Sequence, residues 1–236
     1  MLEQALGLRA WSDRLRKQDS EGKGEKPVSD PLQMKASELI LPKLHYEPTA
    51  LVPALTKPAI KSHLRIHKRY VTKTNELTRG TEYKDMTLQK VVVASAKDNK
   101  ELFHNASQAW NHAFFWLSIS PPGKDTSPIG NLLSAVQKEF KSVEACRNRM
   151  KEEAGKLFGS GWLWLVRDGD TPVVLVTKNA DSPLTSGVTP IVCLDLWEHV
   201  YYLDYQDDRE AYVDTAVTDL LNWGFAGRNW EASVGA

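Results

Sequence analysis

Cysteine is scarce in this chain: 236 residues contain two, Cys146 and Cys193, far apart and with Cys193 inside an apolar run. A structural disulfide is therefore not expected, and a reducing compartment is the natural setting. Net charge is absent, because 30 basic and 30 acidic residues cancel. Nothing global then points to nucleic acid or an anionic membrane surface; the stretch 57–73 is the one local excess of positive charge. No apolar run approaches the ~20 residues that a membrane helix needs. Residues 2–16 mix acidic and basic side chains without a long apolar core, which fits neither a secretory signal nor a transit peptide. No internal repeat is visible.

What is present is an ordinary globular composition, 42% hydrophobic and 25% charged, with an unusually large number of tryptophans, eight. The length allows one large domain or two small ones with a sizeable core. Residues 20–31 are polar and punctuated by Gly and Pro, so 1–38 reads as an N-terminal arm and linker, with an amphipathic helix over 2–16. Residues 57–77 predict a helix, with Thr56 as N-cap and Pro58 in the first turn. A broken helical stretch follows over 87–116, ended by Ser-Pro-Pro-Gly at 120–123, and a further helix covers 129–157. After Gly159-Ser-Gly161 the period changes. Two short β-rich runs flank Asp168-Gly-Asp-Thr171, a hairpin signal, and 190–194 makes a third strand before a last helix over 208–223. The expected architecture is α+β: a helical domain at 39–126, then an α/β domain at 127–236 with a small three-stranded sheet.

The chemistry gathers at three places. Asp195 and His199 stand four residues apart where the apolar run from Pro190 stops, and titratable groups there are costly unless paired or bound to a metal. His112 lies in an aromatic-rich segment, and Ser62-His63-Leu-Arg-Ile-His67 supplies a third set. A single histidine is more often an ordinary hydrogen-bonded residue, and an i,i+4 pair is a common helix contact. Together, however, His63, His112, Asp195 and His199 make a three-imidazole, one-carboxylate set suited to iron, manganese or zinc.

Four segments carry a resemblance: Trp110-Asn-His-Ala-Phe-Phe-Trp116, Phe158-Gly-Ser-Gly-Trp-Leu-Trp164, Asp195-Leu-Trp-Glu-His-Val-Tyr-Tyr202 and Leu221-Asn-Trp223. In order and spacing, from about residue 39 to 225, the chain resembles the iron/manganese superoxide dismutase family. The resemblance implies a long antiparallel helical hairpin followed by an α/β domain with a three-stranded antiparallel sheet. It implies His63, His112, Asp195 and His199 as metal ligands, and His67 and Tyr70 as the proton-relaying pair at the entrance. Gln108 matches the position where iron enzymes place the glutamine that contacts metal-bound solvent, while Ala180 stands where manganese enzymes place theirs, so iron is expected ahead of manganese. Trp162, Trp164 and Trp197 are expected to pack the cavity, and Phe115 replaces a frequent tyrosine. Arg65, Lys68 and Arg69 are candidates for steering superoxide, with a solvated helix face as the plainer reading. Glu198 and Tyr202 are implied at a twofold interface, Glu198 reaching the second subunit's His199 and Tyr202 its His67, which makes a homodimer. His45 and His104 are not expected to be ligands.

The first-helix segment departs from the family. Leu64-Arg-Ile replaces the usual residues, Lys68 replaces a histidine, and Tyr70 follows His63 by seven residues instead of eight. At about 100° per residue, His67 and Tyr70 still fall roughly +40° and −20° from His63, on one face. The expected activity is an antioxidant dismutation of superoxide to oxygen and hydrogen peroxide, in an intracellular, organellar setting with the mitochondrial matrix ahead of plastid or cytosol. The alternative is a superoxide-dismutase-like structural subunit of a larger assembly such as an organellar ribosome, docked through the arm and meeting nucleic acid only indirectly. A zinc or iron hydrolase would need a base beside the metal water, and none is evident.

Overall fold

The computed structural model describes residues 32–124 and 126–232. Most of the expected arm, its helix at 2–16 and its linker at 20–31 included, lies outside them. Residues 32–38, placed in the arm on sequence grounds, belong to the packed fold. Leu32 and Ala36 are fully buried, and Ala36 N–H donates to the Met86 carbonyl while Leu88 N–H donates to that of Met34. The alternation Leu32, Met34, Ala36 is too short to stand out beside a Pro- and Gly-rich stretch.

Helix α1 (Lys57–Thr78) matches its expected bounds, with Pro58 in the first turn. The Thr56 side chain does not cap it. Its hydroxyl and backbone N–H instead both donate to the Asp204 carboxylate, at 2.6 and 2.8 Å. The broken stretch resolves into α2 (Leu88–Ser95), capped by Thr87, and α3 (Lys100–Ser118), capped by Asn99. Contacts of His63 with Trp116, His67 with Ala109 and Lys73 with Glu101 run in opposite directions along the two chains, so α1 and α3 form an antiparallel hairpin. The next expected helix is two, α4 (Gly130–Phe140) and α5 (Val143–Lys156). Lys141 takes a positive φ of 75° and Ser142 caps α5 by accepting from Ala145 N–H, which restarts the helix in a new direction.

The sheet has strand order β2-β1-β3, all antiparallel, with β1 (Gly161–Asp168) central, β2 (Thr171–Lys178) and β3 (Thr189–Asp195). The β1–β2 connection is the expected two-residue turn, with Gly169 at φ 57°. Register pairs Trp162 with Asp195, which sets a large aromatic side chain opposite the last residue of β3. Helix α6 (Glu198–Tyr205), for which the sequence pattern gives no boundary apart from the Asp195–Tyr202 motif, follows β3. The last expected helix is α7 (Arg209–Thr215) followed by one π-helical turn (Ala216–Leu220), and α8 (Trp223–Ala232) begins where it was expected to end. The break comes from pairing: Leu221 bridges Ile119, Ser120 N–H donates to Leu220 O, and Asn222 N–H donates to Ser118 O. Those bonds staple the end of α3 to the C-terminal half. Among the described residues no helix is long and apolar enough to cross a membrane. Both cysteines are buried and unpaired, and burial pushes the Cys146 thiol up to about 12.

Two glycines test this packing. A Cβ at Gly161 would lie 2.1 Å from the Thr177 carbonyl oxygen, whereas one at Gly155, inside α5, would meet nothing within 4 Å. Gly161→Ala is expected to lower stability by about 1–3 kcal/mol through overpacking. Gly155→Ala is expected to raise it by about 0.5–1 kcal/mol through helix propensity. Urea unfolding midpoints check both.

Candidate metal centre

Four side chains from three regions converge on one buried point. The α1–α3 hairpin brings His63 and His112, the end of β3 brings Asp195, and the first turn of α6 brings His199. Their ligand atoms all lie within 4.8 Å of one another. Asp195 Oδ2 is 3.1 Å from Nε2 of both His63 and His199, and 3.7 Å from Nε2 of His112. The other carboxylate oxygen, Oδ1, accepts the backbone N–H of Trp197 at 2.8 Å, which closes the turn from β3 into α6. The Tyr212 hydroxyl donates to the Asp195 carbonyl at 3.0 Å. The carboxylate is thus held at both ends of its residue, with one oxygen left for the imidazoles.

The hydrogen bonds also assign tautomers. A carbonyl only accepts, so His112 Nδ1–H donates to Gln108 O at 2.7 Å, one turn back on α3, and Nε2 keeps a free lone pair aimed into the cluster. His67 likewise donates Nε2–H to Ala109 O at 3.0 Å, leaving Nδ1 bare. Burial, ahead of the neighbouring His63, pushes the His112 imidazole well below its ordinary value, and burial also lowers His63 against the opposing pull of Asp195. Burial and then His63 bring His67 down to about 3. Burial works against ionisation of Asp195 too, yet His199 and His63 hold its carboxyl well below the usual carboxylate range. Beside this one anion, the His63, His67 and His112 imidazoles are thereby held neutral. The buried Nε2 atom of His112, 3.7 Å from Asp195 Oδ2, has no hydrogen-bond partner among the described residues. Buried acceptors left this way are expensive, and a cation satisfies them. Three imidazole nitrogens and one carboxylate oxygen, with no thiolate, fit a first-row divalent or trivalent metal.

Around the cluster, Trp162 stands edge-on to His112 at 5.0 Å, Phe115 lies 5.2 Å from His63, and Trp197 stacks on His199 at 5.7 Å. Trp164 sits one layer further out: it stacks against Trp110, faces Phe114, and donates its indole N–H to Thr177 Oγ1. Its place is to back Trp162, which it meets at 6.2 Å. The sequence reading missed two residues. Trp116 lies 4.6 Å from His63, a contact signalled only by its i+4 spacing from His112, and Tyr212 holds the Asp195 backbone, for which the sequence offers no signal.

Tyr70 lies next to the cluster. Its ring lies 5.3 Å from that of His112, and burial and the Asp195 charge raise its phenol, while Arg69 and the Gln108 side chain pull it down. Gln108 is therefore beside the phenol, with its own Oε1 buried and without a partner. His67 is fully buried and stacks on His112 at 5.3 Å. Glu198 and Tyr202 are exposed on α6, and Ala180 is buried. His45 and His104 are both exposed and outside the cluster. Arg65 and Lys68, candidates for steering at the entrance, project from the other side of α1: helical geometry turns them roughly 160° and 140° from His63.

The likeness to known proteins follows the same two halves. A family described as iron/manganese superoxide dismutases, alpha-hairpin domain, matches residues 38–120, and one described as iron/manganese superoxide dismutases, C-terminal domain, matches 128–229. The chain is 41% identical over 197 residues to the superoxide dismutase [Fe] of Synechococcus elongatus, covering 82% of this chain and 98% of that protein. It is 40% identical over 191 residues to the superoxide dismutase [Fe] of Legionella pneumophila, covering 80% and 97%. With that of Bordetella pertussis it shares 38% over 192 residues, again 80% and 97%.

The neutral imidazoles give the metal-free protein a pH signature. As pH falls below about 6.5, the ordinary histidine value, the unfolded chain takes up a proton that His67 refuses until about 3. More protons on the unfolded state mean stability that rises with pH, by up to about 1.4 kcal/mol per pH unit from this residue. Urea midpoints of metal-stripped protein between about pH 4 and 7 measure the slope. His67→Gln is expected to flatten it; an unaltered slope would assign the effect to other groups.

Proposed function

The chain belongs to the iron/manganese superoxide dismutase family, and we propose that its centre disproportionates superoxide with iron held by His63, His112, Asp195 and His199. The observation that carries this reading is the convergence of those four side chains, with Gln108 and Tyr70 at their edge. Two superoxide anions and two protons become one dioxygen and one hydrogen peroxide. Iron held by these four residues would supply a one-electron couple for the oxidation of one superoxide and the reduction of the next. The protein does the rest. Asp195 contributes the one negative charge in the ligand set, so the loaded centre keeps net positive charge toward an anion. His112 and Trp197 are fixed through Gln108 O and Asp195 Oδ1, which holds the donor set in register. Phe115, Trp116 and Trp162 exclude water from the inner side. Gln108 orients hydrogen-bonding groups at the open side, the Tyr70 phenol holds a proton there, and His67, kept neutral, passes hydrogen bonds without adding charge.

A homodimer belongs to this reading. Glu198 would reach the second subunit's His199, and Tyr202 its His67. In support, Glu198 is exposed and Tyr202 is 49% exposed, and Phe158, tied to α7 through the bonds of Arg209 to Leu157 O and Gly159 O, is 96% exposed, an apolar side chain in need of cover. The setting proposed with it is intracellular and reducing, such as an organelle, which the two unpaired buried cysteines support. The structural-subunit alternative is not favoured, since such a subunit has no use for an intact donor set beside a partnerless buried glutamine oxygen.

Purified protein is expected to carry stoichiometric iron and to dismutate superoxide. His112→Ala should lose both. Gln108→Ala should retain iron but lose about 10–100-fold in activity, as changes behind a metal's ligands commonly do. Wild-type protein that loads iron fully and shows no dismutation would overturn the reading.

A further inference from the structure

The positive stretch at 57–73 is not used by the metal centre. Lys57, Lys61, Arg65 and Lys68 are all exposed, and helical geometry gathers them within roughly 80° of arc on α1, with Arg69 at the edge. His63 and His67 lie on the opposite side, buried against α3. None of these cations has an ion pair among the described residues; Lys73 is the first along the stretch to find one, with Glu101. Asp204 is engaged by Thr56, and Glu76 sits beyond the far end. Two shallow depressions of about 660 and 570 Å³ run along the stripe and share Arg65. Like charges at i,i+3 and i,i+4 repel, so a stripe with no internal counter-charge weakens its own helix.

We propose that this face of α1 binds the phosphodiester backbone of nucleic acid without reading its sequence. The cations rise along the helix in steps of about 6 Å from Lys57 to Lys61 to Arg65, an extended line suited to an extended polyanion. Arginine adds a planar fork that matches phosphate oxygens. Two other anionic partners fit less well. Membrane insertion needs a free apolar face, and that of α1 is spent on the core. An acidic protein would need a buried anchor at its centre, whereas Pro58, Ile66 and Leu203 are scattered along the margins. No exposed aromatic side chain stands on the stripe to stack bases, which leaves the backbone as the group recognised.

The test is fluorescence anisotropy of the full-length protein with a labelled mixed-sequence DNA duplex across a salt series. Four phosphate contacts predict a log–log slope near −4 and a loss of roughly 10²-fold in affinity between 50 and 200 mM salt. Lys61→Gln/Arg65→Gln/Lys68→Gln should reduce the slope by about 3 and weaken binding alike on unrelated sequences. Lys84→Gln/Lys90→Gln/Lys97→Gln, which removes three exposed lysines elsewhere, should leave it as in the wild type. The proposal fails if no binding occurs at 50 mM salt, if both triple variants change the slope equally, or if the protein binds phosphatidylserine vesicles and not DNA. Melting temperatures establish that each variant is folded.

Discussion

One buried carboxylate organises this protein. Asp195 is fully inaccessible and ionised, a state that costs several kcal/mol unless neighbours offset it. It is offset by position: imidazoles from α1, α3 and α6 face one oxygen, and a backbone N–H from the following turn takes the other. The imidazoles of His63 and His112 are in turn kept neutral by the burial that makes the carboxylate expensive. A cation is the component that satisfies both at once, and the fold supplies its donors from separate regions of the chain so that only the assembled tertiary structure contains it.

The two halves must therefore be locked at a fixed separation, and the bonds that do so cluster near the site. Ser118, the last residue of α3, has its hydroxyl oxygen accept Cys193 N–H on β3, two residues before Asp195. The Ile119–Leu221 bridge and the bond from Asn222 N–H to Ser118 O bind the same helix end to the C-terminal segment. Behind the ligands, Trp162, Trp164, Trp110 and Phe114 form a continuous aromatic layer, which is why the tryptophans crowd the motifs. Large, stiff side chains hold imidazole positions with little conformational freedom left to lose.

The departure in α1 shows how tolerant a helix is to a changed spacing. Offsets of four and seven from His63 keep His67 and Tyr70 on one side, and the structure places both beside His112. The same periodicity sends Lys61, Arg65 and Lys68 to the opposite side, away from the centre. A charge run that looks like part of an entrance when read linearly is a separate surface once the helix is wound.

How much of this the sequence carried depended on the range of the interaction. Helix α1, the β1–β2 hairpin and the quartet of His63, His112, Asp195 and His199 were legible, because helical period, a Gly-containing turn and a burial conflict at the end of an apolar run are local signals. The restart at Ser142, the separation of α7 from α8 and the packing of residues 32–38 were not. Each is set by a partner distant in sequence or by one capping hydroxyl that competes with an otherwise continuous helical pattern. By itself the sequence determined which groups can ligate a metal and that His63, His67 and Tyr70 share one face of α1. Tertiary structure alone decided that Tyr212 clamps Asp195, that Trp116 covers His63 and that Asp204 draws the Thr56 hydroxyl away from capping α1. Those outcomes depend on distances between segments, and a linear pattern of polarity contains no distances.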